Sequence, residues 1–140
     1  MGRKPDAMAE AEQHEGGCLC GAVRYRLSGA LRPIFGCHCR QCRKTSGHFV
    51  AATAIKRERL SILEGEDKLG WFESSPGVRR GFCSVCGSSL FWDRASLPVV
   101  AIMAGSIDEP TGLSMNSHIF MAYKGDYYEI GDGLPQADER

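Results

Sequence analysis

Seven cysteines fall into three tight groups, Cys18-x-Cys20, Cys37-x-Cys39-x-x-Cys42 and Cys83-x-x-Cys86, and no other feature constrains the fold of this chain as strongly. Thiols at such spacings are disulfide partners or metal ligands. The opening residues, Met1 to Ala7, contain no apolar stretch of the secretory kind, so a reducing, cytoplasmic setting is expected, and there clustered thiols serve metals. The odd count agrees: three disulfides would strand one thiol, whereas seven divides into a closed set of four and an open set of three.

In an extended segment Cys37 and Cys39 leave the same face of the pleat. A helical turn after Cys39 would bring Cys42 back beside it, because residues i and i+3 share a helix face. Zinc favours sulfur donors in a tetrahedral shell at about 2.3 Å, and three protein ligands leave a fourth position for water or substrate. Cys18 and Cys20 with Cys83 and Cys86 are two half-shells whose union would tie the first strand to a late hairpin. That set is the candidate for a structural zinc, a class of site that supplies about 10–16 kcal/mol in isolated zinc-finger peptides. Two zincs per chain are therefore expected, one structural and one catalytic. Spacing does not decide the pairing: the triplet could instead take Cys18 or Cys83, or be closed by His38 or His48. His38 lies between two cysteines that share a face and should point the other way; His48 is better placed. Zinc with three thiolates carries 2 − 3 = −1, and Arg40, Arg43 and Lys44 are near enough in sequence to balance it or to bind substrate carboxylates, with His48 beside them.

Lys plus Arg equals Asp plus Glu at 17 each, which gives no global field for nucleic acid or an anionic membrane. No run approaches the roughly 18 apolar residues of a membrane span. Residues 1–15 show no apolar pattern and read as a mobile tail, and Asp6 stands where a myristoylation motif wants Ser or Thr. Val23, Tyr25 and Leu27 alternate with Arg24 and Arg26, the period of a half-buried strand with solvent-facing arginines. The same parity puts Cys18 and Cys20 on the arginine face. Further strands are expected at 49–55, 60–63, 69–72, 89–92 and 99–104, separated by Gly, Pro and charged breaks, with a short helical turn ending near Gly47. This is a mainly β chain with one domain over 16–135 and a C-terminal tail at 136–140. The alternating strands and helices that surround a thioredoxin-type Cys-x-x-Cys are missing around Cys39 and Cys42.

Four segments together, Gly-Gly-Cys-Leu-Cys-Gly-Ala-Val-Arg-Tyr at 16–25, Cys-His-Cys-Arg-Gln-Cys-Arg-Lys-Thr-Ser-Gly at 37–47, Phe-Cys-Ser-Val-Cys-Gly-Ser-Ser-Leu-Phe-Trp at 82–92 and His-Ile-Phe at 118–120, resemble the glutathione-dependent formaldehyde-activating enzyme family, which includes centromere protein V. The resemblance implies a β-tent fold of stacked antiparallel sheets, a structural zinc on Cys18, Cys20, Cys83 and Cys86, and a catalytic zinc on Cys37, Cys39 and Cys42. It implies carbon-sulfur lyase chemistry on a small-molecule thiol adduct, with glutathione and formaldehyde combining to S-hydroxymethylglutathione. From charge and hydropathy, neither a nucleic-acid nor a membrane partner is expected. Where members often continue after His-Ile-Phe with Lys-Ala-Pro-Trp, this chain has Lys124-Gly-Asp-Tyr127, a change that alters the substrate if the segment walls the pocket and little if it only packs on the sheet. The competing expectations are a non-catalytic binding module with two structural zincs and a thiol redox sensor.

Overall fold

A computed structural model of the chain describes residues 12–140; the rest of the expected N-terminal tail, residues 1–11, lies outside the described residues. Among the described residues ten strands form: β1 (Gln13–Gly17), β2 (Arg24–Ser28), β3 (Ile34–Cys37), β4 (Val50–Lys56), β5 (Leu60–Glu64), β6 (Leu69–Ser75), β7 (Val78–Cys83), β8 (Ser89–Arg94), β9 (Val99–Met103) and β10 (Met115–Ile119). Among the described residues a short α-helix, α1 (Arg40–Ser46), joins β3 to β4. The strands make a three-stranded sheet, β1-β2-β5, and a seven-stranded sheet, β10-β3-β4-β9-β8-β7-β6. Pairing is antiparallel as expected, except that β10 runs parallel to β3. No helix among the described residues is long and apolar enough to cross a membrane.

The alternation in β2 works as its sequence requires. Val23, Tyr25 and Leu27 are wholly buried against Ile55, Phe91, Val100 and Ile102 of the large sheet. Burying side chains of this size contributes about 1.5–3 kcal/mol each, enough to fix which face of the small sheet turns inward. Tyr25 meets Phe91 edge-on at 5.3 Å and its hydroxyl lies 2.6 Å from Ser106 Oγ, so its one polar atom is satisfied. The arginines opposite are not plain solvent-facing residues: Arg24 pairs with Asp108 at 2.6 Å and Arg26 with Glu15 at 3.0 Å. Nor does the parity of β2 extend back to the first cysteine pair. A turn over 19–22 interrupts it, and Cys18 packs into the core.

Both ends of the domain reach further than composition suggests. Residues 13–15, expected in the tail, belong to β1, whose pairing with β2 uses backbone rather than apolar side chains. Gly16 is needed there because a Cβ would sit 2.4 Å from the Tyr25 hydroxyl. The expected C-terminal tail at 136–140 instead continues the sheet edge. Ala137 N donates to His118 O at 2.9 Å, and Phe120 N donates to Glu139 O at 2.6 Å.

The two faces of the large sheet have different tasks. One packs on the small sheet through the core just described. The other carries a second apolar cluster, in which Phe35, Ala52 and Met103 form one cross-strand row and Cys37 and Val50 another. At the far end the buried carboxylate of Asp93 is bracketed by Arg57 and Arg79, and Arg79 lies 3.8 Å over the Trp71 ring.

Burial pushes the Tyr25 phenol from 10.0 up to about 12. The folded state therefore keeps a proton that the unfolded chain loses first. Its contribution to stability is whole below pH 10 and is lost as pH rises toward 12. Between pH 9 and pH 11 the native chain is expected to lose about 1.4 kcal/mol more stability than Tyr25→Phe, measured by urea unfolding at both pH values. Equal losses in the two proteins would refute the buried-phenol account.

Candidate metal centres and cavity

Cys18, Cys20, Cys83 and Cys86 come together with their sulfurs within 4.8 Å of one another. Two turns build the set. Cys18 N donates to Val23 O at 3.1 Å, closing the first turn, and Gly87, at φ 82°, closes the second with its N–H on Cys83 O at 2.8 Å. Backbone donors aim at the sulfurs: Val23 N lies 3.2 Å from Cys18 Sγ, and Val85 N and Cys86 N lie 3.4 and 3.5 Å from Cys83 Sγ. Such donors stabilise thiolates. The Ser88 hydroxyl, 3.2 Å from Cys86 Sγ, draws that thiol down to about 5. A tetrahedral shell with metal–sulfur bonds of about 2.3 Å has sulfur–sulfur edges of about 3.8 Å. The Cys18–Cys20 and Cys20–Cys83 separations are 3.6 and 3.8 Å. The set fits a thiophilic divalent ion such as zinc.

Cys37, Cys39 and Cys42 form the second cluster, also with sulfurs within 4.8 Å. Cys37 ends β3, and Cys39 is the N-cap of α1, its Sγ accepting from Cys42 N at 3.3 Å. The helix is short but well terminated: Gly47 takes the left-handed conformation at φ 88° and returns its N–H to Arg43 O at 2.9 Å. The three thiols share charge unevenly. Sulfhydryls of Cys37 and Cys42 turned toward Cys39 hold its thiol well below the usual range, and the same contact pushes Cys37 well above it. Full ionisation of the trio would need a cation. This donor set also suits zinc, and among the described residues no His, Cys, Asp or Glu supplies a fourth donor to the cluster.

Neither histidine near the triplet joins it. His38 points to the opposite face from Cys37 and Cys39, as strand parity predicts, and is wholly buried. Its Nδ1 lies 2.6 Å from the Tyr128 hydroxyl and its Nε2 lies 2.9 Å from His118 Nδ1, while His118 Nε2 lies 2.7 Å from Asp132 Oδ2. Starting from the carboxylate, each group can donate once and accept once: His118 to Asp132, His38 to His118, Tyr128 to His38. Burial, followed by the neighbouring His118, brings His38 down to about 4, consistent with this neutral arrangement. His48 is exposed, with Nδ1 2.9 Å from the Tyr127 hydroxyl.

The triplet opens onto a cavity of about 320 Å³ on the front face of the large sheet. Phe35, Val50, Ala52, Trp92, Met103, Ile119 and Phe120 make it largely apolar. Phe120, a bulky residue held at φ 56°, is kept in this uncommon conformation by its bond to Glu139 and by Tyr123 N donating to its carbonyl at 3.1 Å. The cations of the cavity are Arg80, Arg94 and Arg140. Arg40, Arg43, Lys44 and His48, expected to contact substrate, do not line it. Of the helix residues beside Cys42, Gln41 turns to the cavity, and Arg40, Arg43 and Lys44 do not. Arg40 and Lys44 are exposed, and Arg43 is half-buried on the side of Tyr128. The segment that departs from the family pattern is also outside the lining. Tyr127 packs on Tyr128 at 4.8 Å between ring centroids, and a Cβ at Gly125 would fall 2.4 Å from the Tyr127 ring, so the two residues accommodate each other.

The glutathione-dependent formaldehyde-activating enzyme family model matches residues 13–123. A Halomonas elongata protein bearing the family's name is 30% identical over 129 residues, covering 83% of this chain and 80% of its own. A Schizosaccharomyces pombe protein named only as a lyase is 32% identical over 81 residues, 57% of each chain. Among solved structures, a Rhodobacter sphaeroides protein matches with a TM-score of 0.55 over 87% of this chain and 98% of that one; at 17% identity this likeness concerns the fold alone. With its family match spanning both cysteine clusters and a relative aligned over most of its length, the chain belongs to the glutathione-dependent formaldehyde-activating enzyme family.

Proposed function

We propose that this protein is a zinc-dependent carbon-sulfur lyase acting on a thiol adduct, with glutathione and formaldehyde as the pair that the family name suggests. The observation that carries this reading is a set of three thiols, with no fourth protein donor among the described residues, at the wall of an apolar cavity. It favours an open site over a second closed structural one. Cys37, Cys39 and Cys42 would hold the catalytic ion, and Cys18, Cys20, Cys83 and Cys86 the structural one. Zinc at the triplet would supply Lewis-acid charge and one exchangeable coordination position.

The chain's own residues do the rest. In the condensation the thiol sulfur bonds to the formaldehyde carbon, the carbonyl π pair becomes the new hydroxyl, and the thiol proton ends on that oxygen; the lyase direction is the reverse. Phe35, Trp92 and Met103 exclude water from the reacting centre, which favours two small reactants meeting each other rather than solvent. Arg94 and Arg140 line the same cavity and suit the carboxylates of a peptide thiol, replacing the helix cations Arg40, Arg43 and Lys44 in that role.

The test is the exchange rate between formaldehyde plus glutathione and their adduct at equilibrium, followed by NMR. Zinc-loaded protein is expected to raise it, and Cys39→Ser to remove the acceleration together with one of two zincs per chain. An acceleration that survives in Cys39→Ser would refute the assignment to the triplet. The two clusters should also differ in their hold on the fold. Cys83→Ser is expected to lower the melting temperature by about 15 °C or more, from a loss of roughly 5 kcal/mol at about 3 °C per kcal/mol, whereas Cys39→Ser shifts it by less than about 5 °C. Calorimetry on the two variants checks this.

A further inference from the structure

Arg80 was not singled out by any motif, and its surroundings differ from those of Arg24, Arg26, Arg57 and Arg79. Arg24 and Arg26 each face a carboxylate, and Arg57 and Arg79 share one. Arg80 is half-buried on β7 and, among the described residues, has no carboxylate partner. The atom of anionic character that it does face is a sulfur: its Nη1 and Nη2 lie 3.8 and 3.9 Å from Cys42 Sγ. Two further donors are held by protein. Nε donates to Ser74 Oγ at 3.2 Å, Nη2 donates to Gln41 Oε1 at 3.3 Å, and Gln41 Nε2 closes the circuit on Ser74 O at 3.4 Å. A guanidinium gripped in this way cannot follow solvent, and its charge stays at the sulfur.

We infer that Arg80 is the positioning residue of the triplet: reaching across the sheet from β7, it fixes the Cys42 sulfur and cancels the excess charge of three thiolates around one divalent ion. This rests on the reading that the triplet holds zinc. The arithmetic is direct: 2 − 3 = −1 for ion and ligands, and one guanidinium restores neutrality in a low-dielectric wall where unbalanced charge is costly. The geometry explains why a residue from a distant strand does this. Cys37 sits on β3 and Cys42 on a helix of seven residues, so their relative placement depends on what holds the helix from the far side. Arg80, Gln41 and Ser74 tie that helix to the β6-β7 hairpin. Partners of metal ligands in this position typically change metal affinity about 10- to 100-fold when removed.

The four-thiol cluster provides an internal reference. Zinc-loaded protein is titrated with a chromogenic chelator, and release from the two clusters is resolved as two phases, assigned with Cys39→Ser. Arg80→Ala is expected to weaken the triplet phase by about 10- to 100-fold and leave the other unchanged. Arg80→Lys, which keeps the charge, recovers a large part of the affinity; Arg80→Gln does not. Gln41→Ala, which removes one part of the helix tie but leaves the guanidinium on Cys42, weakens the triplet by less than Arg80→Ala does. In cobalt-loaded protein the thiolate charge-transfer band of the triplet shifts in Arg80→Ala and returns in Arg80→Lys. If Arg80→Ala does not fold, the Lys and Gln variants make the same comparison. Three outcomes overturn the inference: an unchanged triplet in Arg80→Ala or Arg80→Gln, equal weakening of both phases, or a Gln41→Ala effect as large as that of Arg80→Ala. A native chain that holds only one zinc overturns the reading of the triplet itself; two zincs with an indifferent Arg80 overturn only the present inference.

Discussion

Three thiols within 4.8 Å of one another cannot all carry charge unless something positive stands among or beside them, and much of this fold answers that constraint. Left to themselves they share one charge, Cys39 drawn down and Cys37 pushed up by the same contact. The backbone N–H of Cys42 on Cys39 and the guanidinium of Arg80 on Cys42 are the fixed positive ends that the protein supplies. Neither is strong enough to ionise the whole set. The arrangement is one that a thiophilic cation completes, and the chain's remaining task is to keep that point accessible from one side only.

The two faces of the seven-stranded sheet divide this work. Parity along β3 sends Phe35 and Cys37 forward to the cavity, and Gly36 and His38 backward. Behind, His38 is locked by Tyr128 and by His118, which Asp132 holds in turn; a one-residue segment between two cysteines is thereby immobilised without contributing a ligand. Cross-strand pairing also explains the reach of Arg80. It is register partner to Trp92, which pairs with Ala101, so guanidinium and indole share the front face with the triplet although they lie far from it in sequence.

The parts of this architecture that were legible in the sequence are those set by local periodicity or by paired motifs. Spacing was enough to turn a helix after Cys39 and to end it at Gly47, because each rests on a rule a few residues long, whereas it offered the division of the cysteines into four and three without deciding it, and the fold brings those sets together. The strand β1 was not legible, since Gln13 to Gly17 contribute backbone bonds and hardly any buried apolar surface. The same holds for the segment at 136–140, whose place on the sheet edge depends on His118 and Phe120 being there first. Cys18 shows the limit of extending a period through a turn. For the cations, neighbourhood in the chain is not neighbourhood in the fold: Arg40, Arg43 and Lys44 flank Cys42 in sequence, yet Gln41 is the helix residue beside it that enters the cavity lining.

This separation of faces also decides how to weigh the Gly125 to Tyr127 departure from the family pattern. Tyr127 meets His48 and Tyr128, and Gly125 leaves room for the Tyr127 ring, so the change is a paired adjustment on the side that carries the histidine chain. It does not reach the cavity lining. Under the function proposed above, a difference in substrate from other members would be written on the front face, in the breadth of the floor set by Phe35, Trp92 and Phe120 and in the placement of Arg94 and Arg140. Those cations stand on β8 and on the segment beyond β10, which have no thiol to hold, so they can vary without disturbing either cluster. The triplet and the cations of the far wall thus stand on different segments of the fold, and under the function proposed above substrate choice can change while the thiol cluster is kept.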